Sequence, residues 1–311
     1  MGENAELSIV VPVYNEEESL PEFHRRLTQV LKTLNLTYEI LFVDDGSSDQ
    51  TAQLIASLNS SDRRVKGISF SRNFGHMAAL SAGLDLAGGR AVITMDGDLQ
   101  HPPELIPALV AKWKGGAEIV NTLRKDTKGA GFFKKTSASF FYWLINRIAR
   151  INLPASAADY RLLDRKVIDT FKQLHERARF LRGLISWVGY RQVFIDYTAD
   201  LRFAGKSKYS IGKMFSFAMD GIISFSAFPL RLSTYLGLLT AFISFLYILY
   251  AVYIRLFTAG AIEGWASVLV AVLFIGGIQL IFLGVIGEYL SRVYEEAKQR
   301  PLYIIARKVG L

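Results

Sequence analysis

Two apolar runs, Leu232–Ile254 and Ala266–Ile286, contain no charged residue. Each exceeds the roughly 20 residues that an α-helix needs to cross the hydrocarbon core of a bilayer. A buried pair of core helices is the soluble alternative, and runs of this length disfavour it. The connection from Arg255 to Trp265 is short, so the runs read as a membrane hairpin. Arg231 precedes the first, while Arg292, Lys298, Arg300, Arg307 and Lys308 follow the second. The positive-inside rule then puts both termini in the cytoplasm, with Arg255 opposing, and Tyr250, Tyr253 and Trp265 suit the far interface. Gly277, Gly284 and Ser291 recur every seventh residue. Such a small-residue stripe lets helices approach closely, within the hairpin or in a homo-oligomer.

The chain before the hairpin has a different pattern. Up to Arg124 it alternates strand and helix signatures, the mark of a largely parallel α/β sheet. Strands are expected at Leu7–Val13, Glu39–Val43, Val65–Phe70, Ala91–Met95 and Glu118–Asn121. Helices are expected over residues 17–34, 49–58, 77–87 and 103–114, with Ser48 or Asp49 capping the second and Pro102-Pro103 opening the fourth. The polar, acidic start, Met1 to Glu6, has neither the basic nor the apolar region of a signal peptide. Cysteine is absent, which excludes disulfides and thiolate metal sites and suits the cytosol.

The exits of these strands carry polar residues: Tyr14, Asn15 and Glu16; Asp44, Asp45, Ser47 and Asp49; Ser71, Arg72 and Asn73; Asp96, Asp98 and Gln100; and Arg124. In open α/β sheets, ligands bind outside the carboxyl ends of the strands. Asp96-Gly97-Asp98 ends an uncharged strand. Alone it reads either as a turn or as a site for a hard cation, since Mg²⁺ is typically held by one or two carboxylates plus substrate phosphates. Several polar exits converging on one crevice favour the cation and a nucleotide-diphosphate substrate.

A net charge of +8 fits nucleic acid, anionic lipid or phosphorylated substrates. Part of it lies in two amphipathic stretches. The first, residues 132–153, sets Phe132, Phe133, Phe140, Phe141, Leu144, Ile145 and Ile148 among Lys134, Lys135, Arg147 and Arg150. It is either an interfacial helix or an ordinary surface helix. The second, residues 209–228, leads into the first apolar run, which favours the interface. Arg202, Lys206 and Lys208 stand just before it. They read as membrane-surface electrostatics or as a phosphate site. Gly205-Lys206-Ser207 is not a P-loop, because the required earlier glycine falls at Asp200, and no Gly-x-Gly-x-x-Gly follows a strand. The histidines show no metal-ligand spacing. His101 is a contact of the Asp cluster or structural, and Asp159 alone reads as a cap or an ion-pair member.

Taken together, several motifs resemble a known family. They are Val10-Val11-Pro12-Val13-Tyr14-Asn15-Glu16, Val43-Asp44-Asp45-Gly46-Ser47, Ser71-Arg72-Asn73-Phe74-Gly75, Met95-Asp96-Gly97-Asp98-Leu99-Gln100-His101-Pro102, Asp159-Tyr160-Arg161-Leu162, the Arg202–Ser210 segment, Gly287-Glu288-Tyr289-Leu290 and Arg300-Pro301-Leu302-Tyr303. The chain is similar to family 2 glycosyltransferases of the GT-A fold. Within these it resembles the polyprenyl-phosphate glycosyltransferases of the dolichyl-phosphate mannose synthase and GtrB-like type. The Gln-x-x-Arg-Trp signature of processive synthases is absent.

The resemblance implies one inverting sugar transfer from a nucleotide-diphosphate sugar to a polyprenyl phosphate, with no nucleic-acid partner. UDP-glucose is the first expectation and GDP-mannose the second; a non-catalytic nucleotide-sugar-binding membrane scaffold is the alternative class. By the same resemblance Pro12, Tyr14, Glu16 and Asp45 border the base and ribose. Asp96 lies near ribose and metal, Asp98 with Gln100 ligates Mg²⁺ or Mn²⁺, and Arg124 contacts phosphate or sugar. Asp159 is a catalytic base or a sugar-positioning group, and Arg202, Lys206 and Lys208 hold donor or acceptor phosphate. The expected organisation is a cytosolic catalytic domain over residues 1–208, a juxtamembrane amphipathic helix over 209–230, the hairpin over 231–290 and a cytosolic basic tail over 291–311.

Overall fold

The computed structural model describes residues 5–125, 146–148, 157–174, 176, 181–198, 223, 226–257 and 264–311. The sheet strands are β1 (Leu7–Val13), β2 (Tyr38–Asp44), β3 (Val65–Phe70), β4 (Ala91–Thr94), β5 (Ile119–Lys125), β6 (Ala157–Asp164), β7 (Gln192–Thr198) and β8 (Ile305–Val309). Around them lie α1 (Leu20–Leu31), α2 (Thr51–Ser61), α3 (His76–Leu86), a 3₁₀ turn (Pro103–Leu105), α4 (Ile106–Lys114), α5 (Arg165–Gln173) and α6 (Leu181–Trp187).

The strands form one sheet in the order β7-β5-β6-β4-β1-β2-β3-β8. β1 runs parallel to β2 and β4, and β2 runs parallel to β3. β6 is antiparallel to both β4 and β5, so those two share a direction, and β7 follows β5. The exits of β1 to β5 therefore all open on the same end of the sheet. β1 and β2 are buried at every position, as befits near-continuous apolar strands covered on both faces. α1 buries Leu20, Phe23, Leu27 and Leu31 at helical spacing, and Phe23 meets Phe42 edge-on at 6.3 Å. Each such side chain contributes about 1.5–3 kcal/mol of transfer free energy.

Several boundaries differ from the sequence expectation. α1 spans less than residues 17–34, because Glu17 is occupied across the neighbouring loop, where it accepts the Gln50 N–H at 2.9 Å. α2 starts at Thr51 rather than at Asp49, and its N-cap position is Gln50. The Asp49 carboxylate instead takes N–H groups from Thr51 (3.0 Å) and Glu17 (3.2 Å). β5 runs on to Lys125 because β7 pairs along its whole length.

The helices α7 (Phe228–Phe257) and α8 (Trp265–Ala297) cover the two apolar runs. Leu273 and Leu280 on α8 are 66% and 72% exposed, which a soluble core helix would not tolerate. Both helices are long and apolar enough to cross a membrane. The chain divides into one compact unit of Met1–Ala218 with Pro301–Leu311 and a second of Met219–Arg300. The expected basic tail over 291–311 is corrected accordingly. α8 continues to Ala297, and Ile305–Val309 is a strand of the sheet, because the open edge of β3 offers unpaired backbone groups. The expected interfacial helix over 132–153, apart from residues 146–148, lies outside the described residues. So does most of the expected juxtamembrane helix over 209–230.

Candidate active site

Left-handed backbone marks the strand exits. Asn15, Gly46, Gly75 and Leu99 have φ of 54°, 72°, 98° and 64°, and each turns its chain sharply into a loop. At the β1 exit the Asn15 N–H donates to Ser47 Oγ (2.9 Å), and Asn15 Oδ1 accepts the Ser48 N–H (2.9 Å). At the β2 exit Asp44 Oδ1 accepts the Ser47 N–H at 2.9 Å, bracing the loop from its first residue. Gly46 cannot be replaced there without strain. A Cβ would lie 2.4 Å from the Arg72 carbonyl carbon, so the β3 exit loop packs directly on it. That loop is held by Asp45, whose carboxylate accepts N–H groups from Phe74 (2.7 Å) and Gly75 (2.9 Å). Burial pushes the Asp45 carboxyl above its ordinary value, against the pull of those two donors.

The next exit carries the paired aspartates. Gly97 lies over β1, and a Cβ there would stand 3.0 Å from Val13 Cγ1, so a larger residue between the two acids would press on the β1 side chain. Leu99 buries its side chain in the core despite the unfavourable backbone, and the turn it makes lets Asp98 Oδ1 accept the Gln100 N–H at 3.1 Å. Left-handed backbone costs a bulky residue about 1–2 kcal/mol, which burial of its side chain offsets. Gln100 Oε1 lies 3.4 Å from Arg124 Nη1, linking the β4 and β5 exits. The Asp96 N–H donates to His101 Nδ1 at 3.0 Å. That nitrogen is therefore an acceptor, so its 3.7 Å approach to Asp96 Oδ2 is not an ion pair. Asp96 Oδ1 is buried without a hydrogen-bond partner, and His76 Nε2 stands 3.6 Å away.

Asp159 and Arg161 sit two residues apart on β6 and so project to the same face. Both are buried. Arg161 Nη2 donates to Asp159 Oδ1 at 2.8 Å. Arg182 on α6 grips the same carboxylate with two contacts, Nε to Oδ1 at 3.0 Å and Nη2 to Oδ2 at 2.7 Å. His76 Nε2 reaches to 3.9 Å from Oδ2. Burial alone would raise the Asp159 carboxyl, but Arg182 and Arg161 outweigh it and hold the group well below the ordinary carboxylate range. Burial draws Arg161 down to about 10, which leaves it cationic at neutral pH. His76 thus stands between the Asp96 and Asp159 sites, at the start of the helix that follows the Asp45-held loop.

These residues fit a divalent cation of the hard, oxygen-preferring kind. Asp96 Oδ1 is a buried side-chain oxygen lacking a hydrogen-bond partner, and such an atom costs free energy unless something satisfies it. Among the described residues no group of three or more His, Asp or Glu side chains is arranged to hold a metal by itself. Asp96, with Asp98 and Gln100 of the same exit loop, could offer oxygens to such an ion, and Mg²⁺ typically takes one or two carboxylates together with substrate phosphates.

Among the residues singled out in the sequence, Asn15, Asp44 and Asp45 hold the β1, β2 and β3 exit loops, and Asp96 and Asp159 come together on either side of His76. Pro12 lies buried within β1, paired with Val43. Tyr14 is exposed, and the Glu16 carboxylate is taken up by the Ser19 hydroxyl. Arg202, Lys206 and Lys208 lie outside the described residues. The residues that sequence reasoning passed over are His76, Arg161 and Arg182. Arg161 had a readable signal, since an Asp and an Arg two apart on a strand face the same way. Arg182 had none, because only the fold brings α6 to β6.

The model for "Glycosyl transferase family 2" matches residues 8–171, and the model for "GtrB C-terminal hairpin" matches residues 228–293. A Bacillus subtilis protein named "Uncharacterized glycosyltransferase YkcC" is 47% identical over 100% of this chain and 96% of its own length. A Shigella phage SfV protein named "Bactoprenol glucosyl transferase" is 44% identical over 96% of this chain and 97% of its own. Among solved structures, S. aureus TarS 1-349 with UDP-GlcNAc is 18% identical over 70% of this chain and 66% of that one, with a TM-score of 0.47.

Proposed function

This chain belongs to glycosyltransferase family 2, and from that premise we propose that it moves one sugar from a nucleotide-diphosphate sugar to a polyprenyl phosphate at the cytoplasmic face of a membrane. The observation that carries the reading is the convergence at one end of the sheet. The under-satisfied Asp96 carboxylate and the Asp159 carboxylate, itself gripped by Arg161 and Arg182, both come within 4 Å of His76 Nε2. Such a site offers a place for a metal–diphosphate beside a fixed pair of cations. The name of the phage relative supports glucose as the sugar and a polyprenol-type acceptor, and UDP-glucose is the donor we propose.

In this reading Asp45, with Pro12, Tyr14 and Glu16, borders the base and ribose. Asp98, Gln100 and Asp96 hold Mg²⁺ or Mn²⁺ with the diphosphate, and Arg124 contacts phosphate or sugar. The metal, when bound, supplies Lewis-acid charge to the leaving diphosphate. An acceptor phosphate oxygen attacks the anomeric carbon in line as the bond to the diphosphate breaks, which inverts that carbon. A phosphate monoester has a second pKa near 6, so the acceptor arrives as a dianion and needs no base. Asp159 is poorly suited to be one, because both its oxygens are bound by arginines and its carboxyl is held far below neutrality. Its role is to fix Arg182 and Arg161 where negative charge grows on the leaving group. Arg202, Lys206 and Lys208 add cations for the phosphates. The hairpin anchors the protein, with both termini cytoplasmic, and the Gly277–Gly284–Ser291 stripe supports a homo-oligomer.

The test is a screen of nucleotide sugars against undecaprenyl phosphate, with and without Mg²⁺ or Mn²⁺, with products identified by mass. A polyprenyl-phosphate hexose from UDP-glucose, its sugar released by mild acid, is expected. An acid-stable product would rule out the phosphate acceptor, and nucleotide binding without any lipid product would point to a scaffold.

A further inference from the structure

The segment that follows α8 does more than cover a sheet edge. β8 pairs with β3 from Gly67↔Val309 to Phe70↔Ile305, with an irregularity between Ser69 and Phe70. The contact continues beyond the ladder, where the Ser71 N–H donates to the Ile304 carbonyl at 3.0 Å. Tyr303 lies past the last paired residue. Its ring stacks on Phe70 at 5.1 Å and 12°, and its hydroxyl reaches Asp85 Oδ2 on α3 at 3.2 Å. Phe70 in turn meets Phe74 edge-on at 5.7 Å, and the Phe74 N–H donates to Asp45 at 2.7 Å. Tyr303 therefore touches the strand before the Ser71–Gly75 loop and the helix after it, and the loop's N–H groups fix the Asp45 carboxylate.

We propose that the C-terminal segment, through Tyr303, is a positioning element for the active site, holding the Ser71–Gly75 loop so that Phe74 and Gly75 fix Asp45. An edge strand serving only to block aggregation needs its backbone ladder. It does not need an aromatic series leading from the strand's end to the residue that grips an active-site acid. The consequence for donor binding rests on the nucleotide-sugar reading above.

The test uses the full-length protein in detergent or nanodiscs, with Tyr303→Ala compared with Tyr303→Phe. Loss of one stacked aromatic pair corresponds to about threefold to tenfold in an equilibrium. Amide exchange in the peptide spanning residues 71–76 should quicken by that factor in Tyr303→Ala and by less in Tyr303→Phe, which keeps the stack on Phe70 and loses the hydroxyl contact to Asp85. The KM for the nucleotide sugar should rise by about the same factor with kcat nearly unchanged, the signature of lost binding shared equally by ground state and transition state. If Tyr303→Ala does not fold, Tyr303→Leu, which keeps apolar volume without a ring, is read in its place. Unchanged exchange in residues 71–76 overturns the proposal. Faster exchange with an unchanged donor KM also overturns it, because the loop would then be free of the site. A wild-type protein that uses no nucleotide sugar sinks the donor reading alone, since amide exchange needs no donor and still decides the mechanical coupling.

Discussion

Asp96 and Asp159 stand on either side of the same histidine and live in opposite electrostatic worlds. The Asp96 side chain is 35% exposed, yet one of its oxygens is buried without a hydrogen-bond partner, and its neighbours are two histidine rings beyond 3.5 Å. The Asp159 side chain is 8% exposed, and its two oxygens take three N–H groups from two arginines. The first carboxylate has capacity left for a ligand. The second has spent its capacity on the protein. A carboxylate in an active site can thus serve by binding something or by holding in place the groups that do.

Removing the spent carboxylate should have the largest effect. Asp159→Asn leaves Arg161 buried without its counter-charge, a change that typically costs about 3–5 kcal/mol, and it releases Arg182. Both the unfolding midpoint and the transfer rate should collapse, the latter by about 10³-fold or more. A variant of normal stability with only its rate reduced would assign Asp159 to the ligand instead. Asp96→Asn and Asp98→Ala should do the reverse. Transfer should fall by about 10²–10³-fold while stability changes by less than about 1 kcal/mol. Added Mn²⁺ should restore little, and a thermal melt beside a rate measurement checks both halves.

Arg182→Lys sharpens the contrast with a smaller effect. Lysine keeps the charge but cannot make the two-pronged contact, so stability should drop by about 1.5–3 kcal/mol and transfer by about tenfold. An effect confined to the rate would show that Arg182 works on substrate more than on Asp159. The smallest effect is the dependence on pH. The Asp159 carboxyl is depressed in the folded protein, so its contribution is fully present above the unfolded value of about 3.9 and is lost as pH falls through the folded one. Acid unfolding should therefore be shallower in Asp159→Asn than in wild type below about pH 4. Parallel curves would deny the arginine pairs any stabilising role.

The fold was legible where a local pattern had one physical outcome. Leu7–Val13 and Val65–Phe70 were read to the residue, the first as a short, almost wholly apolar run and the second as a short β-branched and aromatic segment bounded by polar residues. Asp96-Gly97-Asp98 was legible as a polar strand exit for the same reason, since charged groups at the end of a buried strand must meet something polar. β6 and β8 were not. Each joins the sheet antiparallel from a distance in sequence, and no periodicity says which edge or gap a late strand will enter. The Asp159–Arg161–Arg182 cluster was half legible, with Asp159 and Arg161 on one strand face and Arg182 hidden in a separate helix.

From the amino acids alone came the family, the α/β catalytic unit, the apolar hairpin and the polar strand exits, all consequences of hydrophobic periodicity and of where charge is allowed. Only the tertiary structure decided how those exits divide their work. It left one Asp96 oxygen without a partner, locked Asp159 between two arginines, and returned Tyr303 to the β3 loop after the hairpin. The Arg182 and Tyr303 contacts span long sequence separations. Their distances, and hence their energies, exist only once the sheet order is set.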